Sequence, residues 1–466
     1  MASLHAGPSD TAHKDPLGVR RLAWRTLDNL ATQDSTLDAV LEDVQSQRSG
    51  FKLKDRALFQ TLVFGVLRWR ARLDYIIQSF SRTPLKKVDP SVLNLLRLAV
   101  FQIVHLDRVP DSAAVNTAVE LVKSSRPVWV VRFVNAILRR AAAEFQTLPY
   151  PDPSSDPVAA LSIQKSFPEW IIRRWLRRWG IDDTIALCDA VNAVPPTTVR
   201  TNTLKTSREA LRAALAPFAE QIQPTPFSPG GLQLTRLRKP LDDTDAYRAG
   251  WFQVQDEAAQ LIAVMLGPRP EEEILDACAG LGGKTGHIAQ LMGNRGEITA
   301  VDIRADKIHQ LTTQMRRLGV TIVTGRQHDL RHSFDLRDRE RYDRVLLDAP
   351  CSGMGVLRRN PDNKWRMTES HLKRFSARQR SFLDRLAPLV SPGGLLIYAV
   401  CSTEPEEGPS VAAAFLKSHP EFVMENAAAR LPETFSAGFA ADRCFKSEPH
   451  RHAMDGFFGS CLRRIR

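Results

Sequence analysis

Ile274-Leu275-Asp276-Ala277-Cys278-Ala279-Gly280-Leu281-Gly282-Gly283-Lys284-Thr285 is the stretch on which the fold turns. A short apolar run that ends on aspartate, followed by a glycine-rich turn and then helical spacing, marks a strand handing over to a helix at a ligand-binding turn. Further short apolar runs follow at Ile298 to Val301, Val320 to Val323, Val345 to Leu347 and Leu395 to Val400, each closed by a Gly, Asp or Cys loop. This alternation over residues 250–466 predicts an α/β, Rossmann-like domain with a parallel sheet and helices on both faces. Its ligands are expected beyond the carboxyl ends of the strands.

Upstream the grammar differs. Leu58, Phe59, Leu62, Val63, Val66 and Leu67 recur at helical spacing, as do Leu93, Leu96, Val100, Ile103 and Val104. Residues 16–150 therefore read as an all-α bundle with its basic residues on solvated faces, with one helix starting at Pro110-Asp111-Ser112 through side-chain capping. Pro149-Tyr150-Pro151-Asp152-Pro153 cannot continue a helix and is read as a domain boundary. Residues 151–249 read as a small α+β connector. Within it Ile172, Trp175, Leu176 and Trp179 share one helical face and Arg173, Arg174, Arg177 and Arg178 the other, a pattern of packed tryptophans and solvated arginines, with direct RNA contact as the alternative. Residues 1–15 carry no apolar segment and read as a disordered tail, neither leader nor anchor.

The 466 residues are 43% hydrophobic and 25% charged, which excludes collagen-like, disordered and membrane-spanning classes. The net charge of +12 points to a polyanionic partner, nucleic acid first and an acidic membrane surface second. Residues 16–150 hold 20 basic and 12 acidic residues (+8), whereas 251–466 hold 30 and 27 (+3), so general RNA affinity is expected near the N-terminus. Six scattered cysteines without metal-binding spacing predict no metal site, no disulfide framework and a cytoplasmic location; no membrane partner is expected, and the chain is taken as a monomer.

Two nucleotide readings of the glycine turn fail. A P-loop needs glycine at the position of Cys278, and a dinucleotide fingerprint starting at Gly280 needs glycine where Thr285 stands. An acidic strand end followed by a glycine turn without a phosphate cradle suits a cofactor held through adenosine and an amino-acid moiety, S-adenosyl-L-methionine. Cys278, Ala279, Gly280, Leu281, Gly282, Gly283 and Lys284 are the expected loop contacts. Asp302 is placed for ribose hydroxyls, Asp329 for the adenine edge, and Asp348 completes the acidic series at successive strand ends. Cys351 and Cys401 follow neighbouring strands and are expected to converge on one cleft. Arg358, Arg359, Lys364 and Trp365, just beyond Cys351, offer cations and an aromatic suited to holding phosphates and stacking a base, and the cations are expected to favour a thiolate.

The segments Asp276 to Thr285, Asp348 to Trp365 and Tyr398 to Glu407 resemble the motifs of the Nop/Sun RNA cytosine-5 methyltransferases, in particular the bacterial ribosomal RNA small-subunit branch with its NusB-like helical RNA-binding domain. Asp55 to Phe59, Arg132 to Arg140, Arg200-Thr201-Asn202 and Gln255-Asp256-Glu257 extend the likeness over nearly the whole chain past the tail. The resemblance implies methylation of carbon 5 of a loop cytosine in 16S rRNA, free or in a partly assembled small subunit. It also implies attack by Cys401 on carbon 6, stabilisation of ring nitrogen 3 by Asp348, and release assisted by Cys351. Two positions depart from the family: Gly280-Leu281 stands for Ala-Pro, and Val400 for Thr. Neither bears on bond-making.

Other readings are a transferase acting on tRNA or another RNA, a NusB-like binding factor with an inactive catalytic half, and a P-loop ATPase. DNA cytosine methyltransferases use the Pro-Cys thiol as nucleophile and lack a second cysteine, so Cys401 favours RNA.

Overall fold

One apolar residue every three or four positions gives each N-terminal segment a single face to bury. The segments form helices α1 (Gly18–Thr32), α2 (Leu37–Asp43), α3 (Leu53–Phe80), α4 (Pro90–His105), α5 (Asp111–Lys123), α6 (Val128–Glu144) and α7 (Pro157–Gln164). The structure, a computed structural model, describes residues 17–32, 36–44, 51–332, 341–433 and 443–466, so the tail expected over 1–15 lies outside the described residues. The chain forms two compact units that divide between Ile181 and Asp182.

In the first unit α4 is the core: every residue from Val92 to Ile103 is buried. Asp89 caps it by accepting from the Ser91 and Val92 amides, with Pro90 in the first turn. Helix α5 begins at Asp111 as expected, but Pro110 is its cap residue and no side chain caps it. The basic residues are not all on solvated faces. Arg97 is buried and forks onto Asp74 at 2.6 and 2.8 Å, so that charge is neutralised inside the bundle.

The proline-rich break does not end the unit. Tyr150 stacks on Tyr75 at 5.3 Å, and beyond α7 the Ser166 hydroxyl accepts from the Ala71 amide at 2.9 Å. The next helical segment, α8 (Glu169–Asn192), is interrupted at Gly180 (φ 77), and the division between units follows at once. Ile171, Ile172 and Trp175 are buried, with Trp175 against Phe167, while Arg173, Arg177 and Arg178 are exposed, which agrees with the packing reading of this helix.

The second unit begins with a four-stranded antiparallel sheet of β1 (Thr197–Thr201), β2 (Ala219–Pro224), β3 (Gly231–Leu237) and β4 (Phe252–Val254) in the order β2-β3-β1-β4. Helix α9 (Arg208–Leu215) lays Leu211 and Leu215 on Val199, Leu232, Leu234 and Phe252. After α10 (Asp245–Arg248) come α11 (Glu257–Leu266), β5 (Glu273–Ala277), α12 (Gly283–Leu291), β6 (Glu297–Asp302), α13 (Ala305–Leu318), β7 (Val323–Gln327) and β8 (Tyr342–Asp348). Helices α14 (Asn363–Arg366), α15 (Glu369–Leu386) and α16 (Pro409–Ser418) accompany β9 (Val390–Val400), β10 (Phe422–Glu425), β11 (Phe445–Ser447) and β12 (Phe457–Arg464).

Strands β7-β6-β5-β8-β9 are parallel, as the alternation predicts. Their period of two sorts side chains between two cores: Leu395, Ile397 and Ala399 join α11, α12 and α13, whereas Leu396, Tyr398 and Val400 join α15 and α16. The sheet is nevertheless mixed, because β12 inserts antiparallel between β9 and β10. The third strand also lies later than Val320 to Val323. Gly319 ends α13 in the left-handed region and Val320 folds back, its amide donating to Met315 at 2.9 Å, so the valine belongs to the helix cap. The strand itself is a polar edge without an apolar run to betray it. Among the described residues no helix is long and apolar enough to cross a membrane.

Candidate active site

From β5 the chain winds to one side through β6 and β7, then returns to the other through β8 and β9. The crevice beyond the carboxyl ends of β5 and β8 is thus the topological switch point, where α/β sheets bind ligands. The glycine turn lies there. Cys278 adopts φ 66 and Gly282 φ 81, left-handed conformations; a side chain at Gly282 would also strike Leu311 at 2.8 Å and Met315 at 2.9 Å. Asp302 shapes the turn from β6, its Oδ2 accepting from the Gly280 amide at 3.0 Å and its Oδ1 from the Arg304 amide at 2.9 Å. The donor set fits S-adenosylmethionine: a Cβ at Gly280 would meet nothing within 4 Å, and acidic strand ends face a turn of backbone N–H groups, suited to hydroxyls, an ammonium and a carboxylate. Asp329, beyond β7, is held by Arg331 two residues on, whose hydrogen bonds bring its carboxyl down to about 2.

Asp276, at the end of β5, is fully buried and accepts from Thr285 Oγ1 at 2.6 Å, its other oxygen having no partner. Burial pushes its carboxyl up to about 7, against the pull of the Thr285 bond and with a further push from Asp348. The folded protein therefore keeps a proton that the unfolded chain loses near 3.8, and this stabilisation fades as pH rises toward 7. Asp276→Asn keeps an acceptor for Thr285 without titrating. Thermal melts are expected to show the variant gaining on wild type as pH rises from about 4 to about 7, and no further above that; a difference independent of pH would contradict a protonated Asp276.

The two cysteines converge. Cys351 Sγ and Cys401 Sγ are 3.1 Å apart, and none of the six cysteines is in a disulfide. The Gly355 amide donates to the Cys401 carbonyl at 3.0 Å, and its backbone lies so close to Gly456 that a Cβ would fall 1.8 Å from the Gly456 carbonyl oxygen; only glycine fits. The Cys351 thiol is pushed well up by its hydrogen bond with Cys401, by burial, and by the charges of Cys401 and Glu407. Lys284 Nζ meets Asp348 Oδ2 at 2.5 Å. Burial pulls the Lys284 ammonium down, but the charge and hydrogen bond of Asp348 outweigh it, with Cys401 adding to the upward pull.

The cations beyond Cys351 are engaged elsewhere. Arg358 is buried, bonded through Nε to Asp455 at 2.5 Å and through Nη2 to Asp256 at 3.1 Å, and Arg359 joins the same two carboxylates at 2.7 Å each. Lys364 is fully buried and donates to Asn192 Oδ1 at 2.6 Å. The reading of Arg358 and Lys364 as phosphate ligands is corrected on that ground: these buried charges hold the loop after Cys351 onto the protein, with Arg359, its side chain 30% exposed, sharing the same two carboxylates. Trp365 is half-buried. Sequence reasoning overlooked Arg378, exposed on α15, whose charge is felt at Cys278 and Cys351. It also gave no role to Glu407, buried behind both cysteines. The signal for Glu407 was available, since Ser352 and Ser402 repeat one Cys-Ser pair. Among the described residues no cluster of three or more His, Cys, Asp or Glu could hold a metal ion.

Three family models match successive parts of the chain: the NusB family over residues 18–143, an RsmF/B-like ferredoxin-like domain over 167–239, and 16S rRNA methyltransferase RsmB/F over 263–463. A probable ribosomal RNA small subunit methyltransferase B from Bacillus subtilis is 34% identical over 448 residues, covering 96% of this chain and 98% of that protein. The chain belongs to the ribosomal RNA small subunit methyltransferase B family. Its structural likeness spans the same length: the crystal structure of PH0851 matches with a TM-score of 0.80 at 25% identity, covering 98% of this chain and 99% of that one. A methyltransferase homolog from Pyrococcus horikoshii covers 67% of this chain and 100% of its own, with a TM-score of 0.56 at 27% identity. The methyltransferase B family thus accounts for the NusB-like helices, the ferredoxin-like connector and the Rossmann-like domain with its mixed sheet.

Proposed function

We propose that the protein transfers a methyl group from S-adenosylmethionine to carbon 5 of a loop cytosine in 16S rRNA, free or in a partly assembled small subunit, through a covalent bond between Cys401 and the base. The observation that carries this reading is the thiol pair 3.1 Å apart beside the Lys284–Asp348 pair. The cofactor supplies an electrophilic methyl group when bound; Cys278 to Lys284, Asp302, Asp329 and Asp348 would hold it.

Carbon 5 of cytosine is a weak nucleophile. The Cys401 thiolate adds to carbon 6, forming a sulfur–carbon bond and pushing an electron pair into the ring, while Asp348 accepts a hydrogen bond from protonated nitrogen 3. The Lys284 ammonium, held by Asp348, lies close enough to feel the charge of Cys401. After methylation a base must take the carbon 5 proton so that the electron pair expels Cys401. Cys351 suits this step. Its thiol is held up chiefly by its bond with Cys401, and once Cys401 is tied to carbon 6 that restraint is gone, so Cys351 can give its own proton to solvent and take the carbon 5 proton as a thiolate.

The target base has to leave its stack, which costs least in an unpaired loop. Arg378, exposed near the thiols, is the candidate for a flanking phosphate. On the first unit Trp129 is 70% exposed on α6, with exposed Arg132 one turn on and exposed Arg139 further along the helix, an aromatic and cations suited to single-stranded RNA. Arg378→Ala is expected to weaken RNA binding and lower the slope of log affinity against log salt by about one unit; an unchanged slope would exclude that contact. The reading as a whole is tested with radiolabelled S-adenosylmethionine and purified 16S rRNA, small-subunit particles and tRNA. Label recovered as 5-methylcytidine in 16S rRNA is the expected result. Label in tRNA alone would move the substrate, and none in any RNA would overturn the reading.

A further inference from the structure

Behind the two thiols lies a carboxylate that the proposed reaction does not use. Each cysteine is followed by a buried serine, Ser352 after Cys351 and Ser402 after Cys401, and both hydroxyls donate to Oε2 of Glu407, that of Ser402 at 2.6 Å. The Ser352 amide, the first backbone donor after Cys351, gives its hydrogen to Oε1 at 2.8 Å. Gln379 of α15 donates to the same oxygen at 3.2 Å and to the Pro350 carbonyl at 3.1 Å. The Tyr398 hydroxyl donates to the Glu407 carbonyl oxygen, securing the residue from β9 as well. Four donors from three segments thus converge on one buried carboxylate, about as many as its lone pairs accept. Backbone bonds join the two segments on either side, from Ala349 to the Ala399 carbonyl two residues before Cys351 and from Gly355 to the Cys401 carbonyl four residues after it, and the Ser352 and Ser402 hydroxyls lie 3.3 Å apart; the Glu407 carboxylate holds the stretch between.

We propose that Glu407 is a positioning residue: it clamps the loop after β8 to the loop after β9 through Ser352 and Ser402 and thereby sets the separation of Cys351 and Cys401. The consequence for turnover rests on the methyltransferase reading; the geometry does not. Glutamine can replace the carboxylate, because its amide oxygen accepts from the Ser352 amide and Gln379 while its NH2 donates to the two hydroxyls, which accept as readily as they donate. Alanine leaves the Ser352 amide without an acceptor and the Gln379 amide with the Pro350 carbonyl alone.

The test uses the full-length protein, Glu407→Gln, Glu407→Ala and the double variant Ser352→Ala/Ser402→Ala. Diamide takes two thiols to a disulfide while its own nitrogen–nitrogen double bond is reduced to a hydrazine, so the initial rate of Cys351–Cys401 cross-linking, read by peptide mapping, reports thiol proximity without any catalysis. Wild type and Glu407→Gln are expected to cross-link at similar rates, and the alanine variants about tenfold or more slower, because disulfide geometry is narrow. In the methyl-transfer assay kcat should fall about a hundredfold for Glu407→Ala with KM little changed, and Glu407→Gln should restore it. Should Glu407→Ala fail to fold, the double serine variant carries the comparison. Wild-type cross-linking rates in the folded alanine variants, failure of Glu407→Gln to rescue, or a wild type that does not cross-link would each overturn the clamp. A wild type that cross-links as expected but methylates no RNA would overturn the functional reading and leave the clamp standing.

Discussion

Cys351→Ala is expected to stall on its substrate, leaving a protein–RNA band that survives denaturing electrophoresis, whereas Cys401→Ala forms no such band and transfers no methyl group. The Sγ atoms sit 3.1 Å apart, so each is within reach of the same pyrimidine ring, but the structure gives them different surroundings. Cys351 is held as a thiol by Cys401, by burial and by Glu407, while Cys401 lends its charge to the Lys284 ammonium. The cysteine beside a buried cation is the better nucleophile, and the one that ionises only after release from its neighbour's grip is the better late base. Loss of Cys401 removes the bond-forming atom, and turnover should drop by about 10⁴-fold or more. Loss of Cys351 leaves bond formation intact and blocks elimination, so product release falls while the adduct accumulates. Gel shift after denaturation, with RNA labelled in one arm and the methyl donor in the other, separates the two. An adduct that needs Cys351 and tolerates Cys401→Ala would reverse the assignment.

Arg358→Ala is expected to damage the fold rather than RNA affinity. The guanidinium is buried between Asp256 and Asp455, and its removal strands two carboxylates in a low-dielectric interior with only Arg359, itself partly exposed, to balance them. Breaking a buried pair in this way costs about 3–5 kcal/mol, roughly 10 °C of melting temperature for a unit of this size. Asp256 also caps α11 and accepts from the Asp455 amide at 3.0 Å, so the loss should loosen the loop after Cys351 at its anchor. Urea unfolding measures the stability change, and binding to rRNA across a salt series measures the alternative. A variant as stable as wild type, with weaker RNA binding and a shallower salt slope, would restore the phosphate-contact reading.

These two cases mark where the sequence was sufficient and where it was not. Asp276 to Thr285 could be read at once, because a strand, a glycine turn and a helix start are local events whose residues are neighbours in the chain. The convergence of Cys351 and Cys401 followed from the same logic, since successive parallel strands end on one edge of the sheet. Polarity misled the reading at β7, an edge strand without an apolar run, and β12 was missed because its partner β9 lies well upstream, with β10 and β11 in turn pairing only with β12. Arg358 and Lys364 were misjudged because an arginine or lysine beside a cysteine reads as surface charge until its partner is known. Arg358 is 97 residues from Asp455, and Lys364 is 172 residues from Asn192.

The sequence by itself therefore determined the kinds of element, the order of the domains and the residue types gathered at the strand ends, because periodicity and turn chemistry are properties of adjacent residues. Only the tertiary structure decided which charges are consumed inside the protein, that Lys284 pairs with Asp348 and feels the charge of Cys401, and that Glu407 joins the two cysteine loops. Each of those depends on a contact between segments far apart in the chain, and a buried charge declares its partner only when both are in place.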